Sequence, residues 1–141
     1  CHFDRNHLDL YIFDEYRTMH CRNKTVFDAL YEQEKKIRKD ELLIADSAEP
    51  KSIMDFKAYG AFIRAADKGP DSVRYGIKWL QGLNHIYIDK RECPFTYREF
   101  VNYEYEQDRE GNFISAYPDE NNHSIDAVRY GMQKYANRRG H

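Results

Sequence analysis

Apolar positions in the first part of the chain alternate between the spacing of strands and the spacing of helices. Residues 9–16 are rich in aromatic and β-branched side chains, and together with residues 2–4 they predict a β-hairpin. Apolar side chains at helical spacing, opposite a charged face, then predict a helix over residues 24–38. The short apolar run 42–45 predicts a strand that is covered on both faces and is central in its sheet.

The remainder of the chain continues this alternation. Pro50 is placed to begin a helix and Gly60 to end it. Further elements are predicted as a strand at 61–65, a helix around 73–80, a strand at 85–88, a hairpin with arms 101–106 and 112–115, and a helix at 122–135. The order predicts one α/β domain over residues 1–141, with a mixed sheet flanked by helices.

Composition narrows the class of protein. The chain has 141 residues, of which 41% are hydrophobic, so one domain can bury a core. No apolar run approaches the roughly 20 residues of a membrane span, and no signal peptide opens the chain, so we expect a soluble, cytoplasmic protein. Three widely spaced cysteines without a CxxC pattern favour reduced thiols. A net charge of −2 lacks the basic signature of a dedicated nucleic-acid binder.

Two regions carry candidate chemistry. Asp46 follows a predicted buried strand, and ligands of open α/β sheets bind at the carboxyl ends of strands. His123 and Asp126 lie three residues apart on the last predicted helix, which places them on one face. Taken alone, an acid at the position of Asp46 more often caps a helix or stabilises a turn, and a His–Asp pair more often lies on a solvated face. Two acids and a histidine brought together can hold a divalent metal.

A local basic strip offers a second candidate. It comprises Arg64, Lys68, Arg74 and Lys78, each of which taken singly fits ordinary solvated charge better than a binding role. Lys68 precedes a glycine in a loop before a helix, but the loop lacks the GxxxxGK[ST] pattern of a nucleotide-binding P-loop. Any DNA binding that rests on this strip should be weak, sequence-independent and sensitive to salt.

Four segments, in this order, together resemble the C-terminal nuclease domain of the large terminase subunits of tailed phages, which package viral DNA. They are Ile-Ala-Asp-Ser-Ala-Glu-Pro-Lys-Ser-Ile (44–53), Asp-Lys-Gly-Pro-Asp-Ser (67–72), Tyr-Glu-Tyr (103–105) with Asp108 and Gly111, and Asn-His-Ser-Ile-Asp-Ala-Val-Arg-Tyr (122–130). The resemblance implies an RNase H-like fold and an endonuclease that cuts concatemeric double-stranded viral DNA in the cytoplasm of the bacterial host. It also implies two divalent ions, Mg²⁺ or Mn²⁺. Implied partners are DNA, the terminase ATPase domain, the small terminase subunit and the portal of the procapsid.

By this resemblance Asp46 corresponds to the second catalytic acid, Asp126 to the C-terminal acid, and His123 to an additional ligand or active-site base. An imidazole among the ligands shifts preference toward Mn²⁺. We expect Asp46 and Asp126 to share an ion, with His123 at the edge of their cleft. We also expect that neutralising either acid leaves the fold intact or stabilised, because like charges repel.

The sequence also departs from the family pattern. The family's first catalytic Asp lies on the opening strand of the sheet, which by the resemblance would precede residue 2, so the chain is expected to lack part of the N-terminal strand region. Walker motifs of the family's ATPase domain are absent from these residues. One alternative function is a catalytically silent packaging or DNA-binding module. Another is a generic RNase H-like nuclease or resolvase outside packaging.

Overall fold

The structure is a computed structural model that describes residues 1–103 and 122–136. The strands are β1 (His2–Asp4), β2 (Asp9–Ile12), β3 (Leu43–Ala45), β4 (Ile63–Ala65) and β5 (His85–Ile88). The helices are α1 (Asn23–Asp28), which continues into a π-helical turn (Ala29–Gln33), α2 (Pro50–Ala58), α3 (Ser72–Gln81), α4 (Pro94–Asn102) and α5 (His123–Ala136). None of these described helices has the length and apolar character needed to cross a membrane.

The described strands form two sheets. In the first, β1 pairs antiparallel with β2, placing Phe3 opposite Leu10, and β2 pairs parallel with β5, placing Leu10 opposite Ile86. In the second, β3 pairs parallel with β4. Side chains of β2 alternate, since Leu10 and Ile12 are buried while Tyr11 is exposed. This is the pattern of a sheet with one covered face.

Each sheet has its own apolar core. The first core packs β1 and β2 against α3, α5 and the start of α4: Phe3, Leu10, Ile12, Ile77, Trp79, Leu80, Cys93, Ile125, Val128 and Met132. The second packs β4 against α1, the π-helical turn and α2: Phe27, Tyr31, Ile53, Phe56, Ala61 and Ile63. Helix α5 packs on α3 and α4 and also contacts β3, so it connects the two halves.

The order of strands and helices agrees with the sequence prediction up to residue 88, and the last helix is found at His123–Ala136. One prediction is wrong, because the helix expected over 24–38 gives way to the π-helical turn after residue 28. Among the described residues β3 pairs with β4 alone, and its central position in the sheet stays a prediction. Helix α4 is absent from the sequence prediction and occupies the start of the expected strand 101–106. The rest of that hairpin lies outside the described residues.

Candidate functional site

Asp46 lies directly after β3, at the carboxyl end of the second sheet. Its Oδ1 accepts a hydrogen bond from the backbone N–H of Ala48 at 2.9 Å and pairs with Nζ of Lys68 at 2.5 Å. These two interactions, the Lys68 contact first, lower the pKa of the Asp46 carboxyl. The side chain is therefore an anion near neutral pH, and it keeps 45% of its surface exposed. Asp46 thus stabilises the turn after β3, and its side chain remains accessible to solvent.

Lys68 connects Asp46 to helix α5. Its pKa is raised, mainly by the contact with Asp46. Its ammonium group also lies 5.8 Å from the centre of the Tyr130 ring. Tyr130 follows Asp126 by four residues, so the two side chains share one face of α5. Lys68 therefore contacts both Asp46 and the face of α5 that carries Asp126.

The loop that carries Lys68 is hydrogen-bonded to helix α5. Gln133 of α5 accepts a hydrogen bond from the N–H of Asp67 at 3.0 Å and donates one to the carbonyl oxygen of Asp67 at 2.6 Å. A side-chain amide can pair with one peptide group in this way because it offers both a donor and an acceptor. Lys68, the next residue, is therefore held close to α5.

Asp126 is paired with Arg129 one turn further along α5. Its Oδ1 accepts from Nη2 of Arg129 at 2.8 Å, and the Arg129 side chain is only 4% exposed. Gly76 of α3 allows this arrangement, because a Cβ at that position would lie 2.8 Å from Cδ of Arg129. Arg129 is therefore confined between two helices and fixes the position of the Asp126 carboxylate.

His123 is the exposed first residue of α5, one turn before Asp126. It lines a cavity of about 290 Å³ together with residues from the segment after β2, including Glu15 and Arg17, and with Thr96 of α4. Among the described residues His123 makes no hydrogen bond or ion pair with Asp46 or Asp126. The structure thus places the histidine on the cavity side of the helix start.

The donor chemistry of these residues fits a hard divalent ion in part. Carboxylate oxygens suit Mg²⁺ and Mn²⁺, but within residues 1–103 and 122–136 no three His, Cys, Asp or Glu side chains approach one another closely enough to hold an ion. The sharing of an ion by Asp46 and Asp126 stays a prediction. The expectation of like-charge repulsion is wrong for the described site, because each acid faces a cation and the pKa of Asp46 is lowered.

The predicted basic strip has one member at the site. Lys68 contacts Asp46, whereas the other three side chains are exposed on β4 and α3 and make no ion pair within the described part of the chain: Arg64, Arg74 and Lys78. Arg74 and Lys78 lie four residues apart on α3 and so share a face. Their role in DNA binding stays a prediction.

Two buried or half-buried acids escape the sequence analysis. Glu15 accepts hydrogen bonds from the N–H groups of Phe95 and Thr96 and from the Thr96 hydroxyl, so it caps the start of α4 from another segment. Glu99, which is buried, accepts from the N–H of Ser124 at 2.7 Å and caps α5 in the same way. No local pattern reveals such caps, because each acid is remote in sequence from the helix that it serves.

Comparisons with known proteins identify the family of this chain. The family model described as a terminase RNase H-like domain matches residues 3–134. The large terminase subunit of Bacillus phage SPP1 is 36% identical over 135 residues, which are 94% of this chain and 31% of that protein. The PBSX phage terminase large subunit of Bacillus subtilis strain 168 is 32% identical over 127 residues, which are 89% of this chain and 28% of that protein.

Solved structures give the same result. The crystal structure of the large-terminase nuclease domain of bacteriophage SPP1, which has bound Mn, superimposes with a TM-score of 0.84 at 35% identity, covering 95% of this chain and 75% of that one. The large terminase of a thermophilic bacteriophage, at 22% identity and a TM-score of 0.59, shares the fold and covers 81% of this chain and 29% of that one. This chain spans about a third of the length of its curated relatives. The fold is the expected RNase H-like one, and the chain belongs to the terminase RNase H-like domain family.

Proposed function

We propose that this chain is a metal-dependent DNA endonuclease domain that cleaves concatemeric double-stranded viral DNA during genome packaging, by two-metal-ion hydrolysis of a phosphodiester bond. The observation that carries the proposal is the contact between β3, which Asp46 follows, and α5, which carries Asp126. The similarity to a manganese-bound terminase nuclease domain supports the same reaction.

Asp46 and Asp126 would hold the metal, with His123 as a further ligand or base. A bound ion would activate water and stabilise the leaving oxygen of the phosphodiester. The chain's own residues prepare this site. Lys68 lowers the pKa of the Asp46 carboxyl, and Arg129 fixes the orientation of Asp126.

The described residues provide too few donors for the complete site. In the family that the sequence resembles, a first catalytic Asp on the opening strand of the sheet supplies a further carboxylate, and an upstream strand of that kind would complete the site here. Of the acids in the segment after β2, Glu15 caps α4 and does not replace that carboxylate. We therefore expect little cleavage by residues 1–141 alone.

The partners we propose also follow the family. They are double-stranded DNA, the terminase ATPase domain, the small terminase subunit and the portal of the procapsid, in the cytoplasm of the bacterial host. A second candidate function is a catalytically silent packaging or DNA-binding module. It is favoured by the pairing of both acids with cations and by the lack of a three-donor group among the described residues.

Plasmid cleavage tests the proposal. The chain extended upstream through the predicted first strand is incubated with supercoiled DNA and Mn²⁺, in parallel with residues 1–141. The extended chain should nick the plasmid, whereas its Asp46→Asn and Asp126→Asn variants should not. Asp40→Asn is the matched control, since Asp40 is an exposed acid with its own arginine partner, Arg38.

Thermal melting with and without Mn²⁺ separates the two candidate functions. Metal that binds only the folded chain at a concentration 100-fold above its Kd should stabilise it by about 2.7 kcal/mol. An extended chain that binds DNA but neither cuts it nor gains stability from Mn²⁺ would support the silent module. Equal cleavage by wild type and Asp126→Asn would refute the assignment of that acid.

A further inference from the structure

A cluster of cations and one aromatic ring lies at the start of α4, outside the site described above. Phe95 is 43% exposed. The guanidinium carbon of Arg17 lies 4.8 Å from the centre of its ring, and that of Arg98 lies 5.9 Å from the same centre. Arg17 comes from the segment after β2 and Arg98 from the next turn of α4, so two distant parts of the chain bring arginines to one ring.

Neither guanidinium is neutralised by an acid. Among the described residues Arg17 and Arg98 form no ion pair, and both are exposed. The acids of the adjoining elements have other partners, since Asp14 pairs with Lys36, and Glu15 caps α4. Two exposed arginines held near one ring, with no acid in direct contact, repel each other weakly, and a bound anion would relieve this repulsion.

A third cation extends the same surface. Nζ of Lys90 lies 5.0 Å from the centre of the Tyr97 ring, and Lys90 likewise has no carboxylate partner in the described part of the chain. The exposed acids nearest in sequence, Asp89 and Glu92, form no ion pair with any of these cations in the described part of the chain. Aromatic faces hold cations by the quadrupole of the ring while leaving their N–H donors directed to solvent. Less side-chain entropy is then lost when a ligand binds.

This surface adjoins the candidate active site. Arg17 and His123 line the same cavity, and Thr96 of that cavity lies next to Phe95 in the chain. The strip of Arg64, Arg74 and Lys78 instead lies on β4 and α3. A duplex that reached the start of α5 could therefore contact the arginine cluster with its backbone.

We propose that Arg17 and Arg98, held against Phe95, bind phosphate groups of the DNA backbone beside the candidate active site. Guanidinium groups form paired hydrogen bonds with phosphate oxygens, which suits this role. The inference rests on the proposed function, because it takes double-stranded DNA as the substrate, and it adds a second contact surface to the predicted basic strip.

Fluorescence anisotropy with a labelled random-sequence DNA duplex of about 30 base pairs, in a salt series, tests the inference. The double variant Arg17→Gln/Arg98→Gln should bind several-fold more weakly, and the slope of log K against log salt should become shallower by about 1.8, or about 0.9 for each lost phosphate contact. Phe95→Leu should weaken binding less than the double variant does. Phe95→Tyr, which keeps an aromatic ring, should bind as wild type does. Circular dichroism verifies the fold of each variant.

Arg38→Gln is the matched control, because Arg38 is equally exposed but already pairs with Glu41 at 2.8 Å. A double variant whose salt slope equals that of wild type would overturn the inference, and the proposed function would survive if the chain extended upstream still cuts DNA. Absence of any duplex binding by the wild type at low salt would overturn the inference together with the DNA substrate on which it rests.

Discussion

Gly76 gives a sharp test of the packing that positions Asp126. A Cβ at Gly76 would lie 2.8 Å from Cδ and 3.2 Å from Cγ of Arg129, closer than carbon atoms normally approach. Arg129 cannot easily move away, because its side chain is 4% exposed and is bonded to Asp126. The variant Gly76→Ala should therefore displace the arginine and, through it, the acid.

Two opposing effects set the change in the free energy of unfolding of the Gly76→Ala variant. Alanine in place of glycine favours the helical state by about 1 kcal/mol. Overpacking a filled interior costs about 1–3 kcal/mol. Gly131 of α5 supplies the matched control, because a Cβ there would meet nothing within 4 Å. Gly131→Ala should thus stabilise the chain by about 1 kcal/mol. The free energy of unfolding of Gly76→Ala should be lower than that of Gly131→Ala by about 1–3 kcal/mol.

Urea unfolding of both variants measures the difference. In an Arg129→Ala background the close contact is gone, so Gly76→Ala should then stabilise as much as Gly131→Ala does. This non-additivity identifies the Arg129 side chain as the source of the cost. If Gly76→Ala is as stabilising as Gly131→Ala in the wild-type chain, the proposed confinement of Arg129 is refuted. In the extended chain, the same variant should also reduce plasmid cleavage.

Three further predictions concern charge, thiols and the loop contact. The pKa of Asp46 is lowered from 3.8 and that of Lys68 is raised from 10.5, so the stability from their pairing should be constant near neutral pH. It should be lost as the pH falls through the folded value of Asp46 or rises through that of Lys68, and comparing urea unfolding of wild type and Asp46→Asn at several pH values measures this. Burial raises the pKa of Cys93 to about 11, so a thiol reagent should modify the other two cysteines, which are exposed, and reach Cys93 only on unfolding. Gln133→Glu removes the donor to the carbonyl oxygen of Asp67 and should cost about 1 kcal/mol, as measured by urea unfolding, whereas an unchanged stability would show that the contact contributes nothing.

The success of the sequence prediction depends on how local each signal is. The strand at His85–Ile88 is predicted with its observed bounds, and the helix of Asp126 within one residue at each end, because their apolar periodicity is complete within a short stretch. Helix α4 escapes prediction because its start is capped by Glu15, about 80 residues earlier, rather than by a neighbour. Four apolar residues indicate the strand β3 but do not specify how many neighbours it pairs with, and in the described part of the chain it pairs with β4 alone.

Helix α5 shows what sequence reasoning can recover about the site. Its apolar stripe is predicted and is buried. The sequence alone predicts that the polar residues of this helix point away from the core. Asp126, Arg129, Tyr130 and Gln133 recur at intervals of three, four and seven, the same spacing that identifies an apolar contact face. In the structure this polar stripe is a contact surface, because Arg129 reaches α3, Gln133 holds the loop of Lys68, and Lys68 reaches Asp46. In this chain a polar stripe at helical spacing beside a candidate acid therefore indicates a packed face rather than a solvated one.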